Sequence, residues 1–352
     1  MILDPGAETL AAGRPPVASN PSIVHRVTLF DVIQEDSGGD LQSTEGLRRL
    51  MTVAGIGPKG ALRLAHAVGS ADALADLSHE EIVRLVPRLS HDAIQELREL
   101  PTLSALPDGV RAVSSFDTEW PEWAEGVPSP PAVLYVAGSM PFRPAIAVVG
   151  TRSPTEFGIS VVESVVKEAA RRSHGVVSGL AIGIDAAAHD AAIEHGTPTW
   201  AVLGSGVEEP TPKRNVKLAE RIIATGGGLI SEHPPGTSAN AQRLVARNRL
   251  QVAAANIVVA AQCGIPSGTL HTVRFAIQQG RRLVVPRPRG RWLDEPASAG
   301  NVALTDPAGC DPTVLSASGS LAERLATRRP IADLALANRD DVAMIWDADV
   351  DD

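Results

Sequence analysis

Apolar segments of strand length alternate with helical patterns along the middle of this chain, and this alternation restricts the fold more than any other feature. The segments are short and continuous, as expected for strands that are covered on both faces of a sheet. Alternation of this kind predicts βαβ crossovers and an α/β core with a doubly wound parallel sheet. The segments begin at Ala145, Gly175, Thr199, Leu229, Ile257 and Leu283.

Turns of small residues lie at the ends of three predicted strands. Such turns expose backbone N–H groups beside helix N-termini, where they can bind phosphate. Because ligands of parallel sheets bind beyond the carboxyl ends of the strands, we expect the three turns to meet at one edge. The candidate residues are Gly150, Thr151 and Arg152 in the first turn, Ser178 and Gly179 in the second, and Ser267, Gly268 and Thr269 in the third.

Basic side chains accompany these turns. Residues 145–291 contain 17 Lys and Arg against 10 Asp and Glu, a net charge of +7, whereas residues 1–144 and 292–352 each have a net charge of −8. A cationic core between acidic flanks predicts that the ligand is a polyanion. The candidates, besides Arg152, are Lys213 and Arg214 at the start of a predicted helix, and Arg247, Asn248 and Arg249 within another.

The positions of these cations suggest how they act. A helix dipole disfavours cations at the N-terminus, so Lys213 and Arg214 indicate that an anion binds there. Arg247 and Arg249 are two residues apart in a helical pattern and cannot share a face. We therefore expect one of them to face the ligand and the other to face a partner.

The remainder of the chain divides into flanking segments. Residues 1–41 are rich in Pro, Gly and Ser and are predicted to be disordered. Residues 42–105 read as short helices, and Gly55–Gly60 between two of them is typical of a helix–hairpin–helix; its acidic surroundings favour a structural role. Residues 106–290 form the core with an N-terminal extension. Residues 291–352 are predicted to be an acidic, partly ordered tail.

Several classes of function lack their signatures. The sequence has no GxxxxGK[ST] loop, no nucleophile elbow and no close acidic cluster, so we predict no catalytic centre and no metal or cofactor site. Asp185 is expected to cap a helix and to form a structural pair with His189, four residues later. The apolar segments are too short to span a membrane, and no signal peptide is evident, which predicts a cytoplasmic protein.

Two late helices have more apolar residues than one sheet face requires. We therefore expect exposed apolar surface there and a homodimer through the core. The residues concerned are Leu250, Val252, Leu270, Val273 and Ile277.

The motifs VVGTRSPTEFG, VVSGLAIGIDAAAH, AVLGSG, SEHPPGT, RNRL and SGTLHT occur in this order, downstream of GIGPKGALRLAHAVGS and PPAVLYVAGSM. Together they resemble the DNA-processing protein A (DprA/Smf) family over residues 42–290. The resemblance implies a Rossmann-like core with an N-terminal helix–hairpin–helix (SAM-like) domain. It also implies a homodimer that binds single-stranded DNA without hydrolysing it and loads a RecA-type recombinase during natural transformation. By motif position, DNA binding is implied for Arg152, Lys213, Arg247 and Arg249.

The chain departs from the family pattern at some positions. Ile182 stands where arginine is usual, and Gln262 stands where an acidic residue is usual. These departures leave open a divergent paralogue acting in general recombination or phage defence. Aromatic residues make up only 3% of the chain, and Phe157 and His233 are the best candidates for stacking on bases.

The other alternative is an enzyme. The general fold also serves nucleotide-binding and nucleotide-hydrolysing proteins related to the lysine-decarboxylase-like phosphoribohydrolases, which have a PGGxGTxxE motif. The nearest segment here, CGIPSGTLHTV, lacks the second glycine and the glutamate. The number of cations distinguishes a nucleotide-binding enzyme from a protein that binds single-stranded DNA. One nucleotide needs one or two cations, whereas a strand needs a row of cations along its phosphates.

Overall fold

The structure is a computed structural model that describes residues 39–142, 144–315, 319–328 and 330–347. The disorder predicted for residues 1–41 therefore falls almost entirely outside the described residues. Leu41, which is described, is buried, and Asp40 forms a β-bridge with Ser70.

Five short helices form the N-terminal part of the described chain. Serine side chains at the N-caps of four of them accept backbone N–H groups, which stabilises each helix by about 1 kcal/mol. Gly57 and Pro58 begin the second helix, as the predicted hairpin requires. The apolar sides of the helices pack in one cluster with Tyr135 and Leu229. The helices are α1 (Thr44–Thr52), α2 (Pro58–Val68), α3 (Ala71–Ala75), α4 (His79–Leu85) and α5 (His91–Arg98).

A sheet of nine strands forms the centre of the described residues. Its order is β1-β2-β6-β5-β4-β3-β7-β8-β9. The strands from β3 to β9 run parallel, whereas β2 pairs antiparallel with β6 and β1 antiparallel with β2. The strands are β1 (Val110–Ser114), β2 (Val133–Gly138), β3 (Ala145–Gly150), β4 (Gly175–Ser178), β5 (Thr199–Val202), β6 (Gly228–Ser231), β7 (Ile257–Gln262), β8 (Arg282–Pro286) and β9 (Leu334–Leu336).

Helices cover both faces of this sheet. Along β3, Ile146 and Val148 pack into one apolar cluster while Ala147 and Val149 pack into another, as the two-residue period of a strand requires. The predicted α/β, Rossmann-like doubly wound fold is therefore confirmed. The helices are α6 (Glu156–Arg171), α7 (Ile184–Glu194), α8 (Val216–Ala224), α9 (Ala241–Ala246), α10 (Asn248–Ala253), α11 (Thr269–Gln278), α12 (Ala299–Leu304) and α13 (Ser320–Thr327).

The strand order places a topological switch point between β3 and β7. From β3 the chain moves outward through β4 and β5 to β6, and then returns to the other side of β3 to form β7. Ligands of doubly wound sheets bind at such a point, outside the carboxyl ends of the strands. The turns that follow β3 and β7 are the first and third turns predicted from the sequence.

The C-terminal segment is part of the core. β9 pairs in parallel with β8, so the boundary predicted at residue 290 is not the end of the sheet. Leu315, Leu321 and Leu325 pack in the same cluster as α11. The apolar surface of α10 and α11, which the sequence predicts to be exposed, is therefore buried. The C-terminal segment covers one part of this surface, and the sheet covers the other part. The residues concerned are Leu250, Val252, Leu270, Val273 and Ile277.

The described helices are all too short or too polar to cross a lipid bilayer.

Candidate functional site

A cleft of about 640 Å³ lies at the carboxyl edge of the sheet, at the switch point between β3 and β7. Eight of the residues proposed from the sequence line it, so the structure brings the first and third turns together. These eight are Gly150, Thr151, Arg152, Arg247, Asn248, Ser267, Gly268 and Thr269.

The turn after β3 is held close to its neighbours. A Cβ on Gly150 would lie 2.5 Å from Ile184 Cγ1 and 2.7 Å from the Gln262 carbonyl oxygen, so only glycine allows this approach. The Thr151 N–H donates to the same carbonyl at 2.7 Å. The Arg152 side chain is exposed and makes no hydrogen bond or ion pair with the residues that the structure describes. Among the residues that the structure describes, this cation therefore has no partner, and it stands beside a closely packed backbone turn.

Gln262, a departure from the family pattern, has a defined structural role. Its Oε1 accepts the Thr155 N–H at 2.9 Å, while its Nε2 donates to Thr155 Oγ1 and to Ser298 Oγ, both at 2.9 Å. The neutral amide donates to both hydroxyls and accepts the backbone N–H, so it makes all three contacts without placing a negative charge beside the turn. The amide thus ties Thr155, the N-cap residue of α6, to the end of β7 and to Ser298 of the C-terminal segment.

Arg247 forms the floor of the cleft. It is only 5% exposed, donates to the carbonyl oxygens of Val202 and Leu244, and lies 3.8 Å from the carboxylate of Asp185. A Cβ on Gly179 would lie 1.7 Å from Arg247 Nη1, so this glycine makes room for the guanidinium. Gly179 therefore supports the cleft without lining it.

Burial shifts the pKa values of this pair. It raises the pKa of the Asp185 carboxyl and lowers the pKa of the Arg247 guanidinium, because both charged forms lose solvation. The expectation that Asp185 caps α7 is wrong. The N-cap is Gly183, and the Asp185 carboxylate instead accepts the Ala181 N–H at 3.4 Å and faces Arg247.

His189 does not pair with Asp185. Its Nδ1 lies 2.7 Å from Thr199 Oγ1, whose own proton goes to the Val176 carbonyl oxygen, so Nδ1 carries the hydrogen. Its Nε2 has no partner among the described residues. Burial lowers the pKa of His189 to about 3, which keeps the ring neutral. The predicted Asp–His pair is therefore replaced by a neutral histidine packed against β5.

Lys213 and Arg214 lie outside the cleft lining. They occupy a 3-10 turn, Lys213–Asn215, that precedes α8, and both are exposed. The Asn215 side-chain amide donates to the Leu180 carbonyl oxygen at 2.8 Å, which ties this turn to the loop after β4. Thr211, two residues before Lys213, lines the cleft. Both cations thus follow a cleft-lining residue in the sequence, and both are exposed to solvent.

Arg249 lies away from the cleft. Its Nη1 and Nη2 each lie 2.6 Å from an oxygen of Glu232, and its remaining N–H groups donate to the carbonyl oxygens of Pro128, Ser129 and Ala246. These contacts use all five donors of the guanidinium. Of the two arginines expected to face a ligand and a partner, Arg249 faces neither, because it binds Glu232 after β6 and the loop that precedes β2 in this chain.

The hydroxyl of Ser178 is also engaged within the protein. It is buried and donates to the Val148 carbonyl oxygen at 2.6 Å, so it joins β4 to β3. Gln251, which was not predicted, does line the cleft, and its Nε2 is buried without a partner among the described residues. Its spacing of four from Arg247 and three from Asn248 on a helical pattern is the signal that could have identified it.

The side chains of the cleft favour binding over catalysis. Among the described lining residues the only carboxylate is Asp185, and it faces Arg247. Groups of three or more acidic, histidine or cysteine side chains that could hold a metal ion are not found in the described part of the chain. What the cleft offers a ligand is an exposed arginine, backbone turns and amide and hydroxyl groups, which suit phosphate oxygens.

Two regions of the chain are similar to known proteins. Residues 111–310 match the family model for DNA recombination-mediator protein A, and residues 47–99 match that of the SAM-like helix–hairpin–helix tandem. The chain is 34% identical over 200 residues to DNA processing protein DprA of Bacillus subtilis, covering 55% of this chain and 67% of the relative. It is 36% identical over 208 residues to the putative DprA of Mycobacterium tuberculosis, covering 54% and 52%.

A solved structure supports the same relationship. DprA from Streptococcus pneumoniae superposes with a TM-score of 0.61 at 25% identity, over 74% of this chain and 96% of that one. The curated relatives named above are matched over about half to two thirds of their own length. Since the family model covers more than half of the sequence, the chain belongs to the DNA recombination-mediator protein A family.

Proposed function

We propose that this chain is a recombination mediator that binds single-stranded DNA in the switch-point cleft and has no catalytic centre. One observation carries the proposal: Arg152 has no ion-pair partner among the described residues, and it lines a cleft that two backbone turns at strand ends help to form. Water solvates an exposed arginine, which leaves its donors available to an anionic ligand that enters the cleft. Phosphate oxygens fit both the arginine and the turn N–H groups.

The number of exposed cations favours a strand over a single nucleotide. Arg152 lines the cleft, and Lys213 and Arg214 follow the lining residue Thr211 in the chain. A single strand can place successive phosphates on such a set, whereas one nucleotide would contact only one or two of these cations. The strand would be held by its backbone, so binding would tolerate many sequences.

The wider role is proposed from the family. We infer that the bound strand is protected and handed to a RecA-type recombinase, as in natural transformation, in the cytoplasm. General recombination and phage defence are the alternative roles. Loading can be tested by measuring the ATPase rate of the recombinase on DNA single strands coated with a single-strand-binding protein, with and without this chain.

The first prediction concerns salt. Each phosphate contact on a single strand lowers the slope of log K against log salt by about 0.7, so three contacts give a slope of about −2. Affinity for an oligonucleotide should fall by about fifteenfold between 50 and 200 mM salt, and a duplex of the same length should bind more weakly. Fluorescence anisotropy measures both.

Two results would count against this proposal. A salt-independent affinity, or equal affinity for the duplex, would mean that the strand backbone is not what the cleft binds. A mononucleotide that competes at the same concentration as the oligonucleotide would favour the nucleotide-binding enzyme instead.

A homodimer is a second prediction, and it now rests on the family resemblance. The apolar residues first invoked for it are buried within the chain, so a dimer must use another surface. We expect light scattering of the full chain at micromolar concentration to give twice the monomer mass of 36.8 kDa. A monomer mass both with and without an oligonucleotide would remove the dimer from the proposed function.

A further inference from the structure

A second groove, of about 230 Å³, lies between α6 and the C-terminal segment. One face of α6 contributes Phe157, Ser160, Val161 and Ser164, which are spaced as neighbours on a helix. Pro286, Leu336 and Val342 are its buried apolar residues. Arg152 lines the cleft and Phe157, in the first turn of the next helix, lines this groove, so the two sites adjoin through one short segment.

Three arginines give the groove a positive charge. Arg289 donates to Asn338 Oδ1 at 2.9 Å and Arg339 donates to Ser164 Oγ at 2.8 Å, so neutral hydrogen bonds hold both of them in place. Arg287 makes a longer contact, 3.4 Å, with the Thr305 carbonyl oxygen. None of the three forms an ion pair in the part of the chain that the structure describes. The nearby Asp341 carboxylate accepts the Ala337 and Asn338 N–H groups and interacts electrostatically with Arg289. Three arginines against one adjacent carboxylate leave the groove with an excess of positive charge, which suits an anionic ligand.

Two aromatic rings line the same groove. Phe157 and Trp292 are both half-buried. The Arg291 guanidinium lies 4.1 Å from the centre of the Trp292 ring and pairs with Glu156 at 2.6 Å, which ties the tryptophan to the start of α6. Rings beside cations are the combination that binds the bases and phosphates of a single strand. A flat ring and a charged rim together select a nucleotide unit over a simple anion.

We propose that this groove is a base-stacking subsite for single-stranded DNA that leaves the cleft over the start of α6. The inference rests on the proposed function and adds a second site to it. Bases stack on Phe157 or Trp292, and the adjoining phosphates contact Arg289 and Arg339. The C-terminal segment, which supplies Trp292 and Arg339, thereby takes part in binding.

The test compares two oligonucleotides on the full chain. A thymidine dinucleotide can occupy only one of the two adjoining sites, whereas a thymidine strand of roughly 16 nucleotides, at the upper end of single-strand site sizes, can occupy both. Trp292→Ala and Arg339→Gln are each expected to weaken binding of the longer strand by about tenfold and to leave the shorter one unchanged. Arg63→Gln, which removes an exposed cation from α2, is the matched control and should change neither.

The outcomes separate the two proposals. If the wild-type chain binds the longer strand and both variants bind it equally well, the groove is not a subsite, while the cleft remains one. If the wild-type chain binds neither strand at low salt, the proposed function fails and the subsite falls with it. Arg339→Gln keeps the test decisive if Trp292→Ala lowers the melting temperature, because the Arg339 side chain is exposed.

Discussion

Replacing Arg152 with alanine is expected to weaken binding of single-stranded DNA by about ten- to a hundredfold without destabilising the protein. A charge-assisted hydrogen bond to a phosphate contributes roughly 1.5–3 kcal/mol when it is well formed, which corresponds to that range of affinity. The side chain is exposed and contacts no described residue through a hydrogen bond or ion pair, so its loss leaves the fold intact. Fluorescence anisotropy and a thermal melt measure the two effects.

Two further variants serve as comparisons for Arg152→Ala. Lys213→Ala should weaken binding less, because lysine binds phosphate as a point charge and lies outside the lining of the cleft. Arg63→Ala, in the N-terminal helices, removes the same charge from an exposed position and should have no effect. If Arg152→Ala bound DNA as the wild-type chain does, the cleft would not be the binding site.

The sequence predicts most of the sheet because its strands satisfy a simple rule. A strand covered on both faces must be apolar throughout, and β3 to β8 all lie within or next to apolar segments read from the sequence. No sequence pattern predicts β9 (Leu334–Leu336), because three residues are too few to establish an apolar segment. Its pairing with β8 depends on the packing of the whole C-terminal segment, which no local pattern reports.

The candidate site is predictable only in its backbone. The turns at Gly150 and at Ser267 follow strand ends, and the rule that ligands bind at that edge suffices to bring them together. The roles of the arginines depend instead on distant partners. Arg247 meets Asp185 from another helix, and Arg249 meets Glu232 at the end of another strand. A single sequence gives no sign of either pairing.

Family resemblance has the same limit. It implied DNA binding equally for Arg152 and Arg249, yet one is exposed and unpaired among the described residues while the other has all its donors satisfied within the chain. A residue shared by a family can hold the site together instead of touching the ligand. Burial and hydrogen-bond partners distinguish the two roles, and both are properties of the folded chain.

The structural role of Arg249 leads to the second large effect. Arg249→Ala is expected to lower the free energy of unfolding by about 3–5 kcal/mol, because it leaves the Glu232 carboxylate poorly solvated and unpaired. The pair is about nine-tenths buried, with side-chain exposures of 9% and 10%. Urea unfolding at neutral pH measures the loss.

A double-mutant cycle distinguishes this role from direct contact with DNA. The double variant Arg249→Ala/Glu232→Ala should lose less free energy of unfolding than the sum of the losses in the two single variants. The reason is that Glu232→Ala removes the carboxylate that Arg249→Ala leaves buried and unpaired. Arg152→Ala should show no such coupling to Glu232→Ala, since it contacts neither partner. If Arg249→Ala instead kept its stability and lost DNA binding, the guanidinium would have to leave Glu232 to reach the strand. The Arg249–Glu232 ion pair would then open when DNA binds instead of being a permanent contact of the fold.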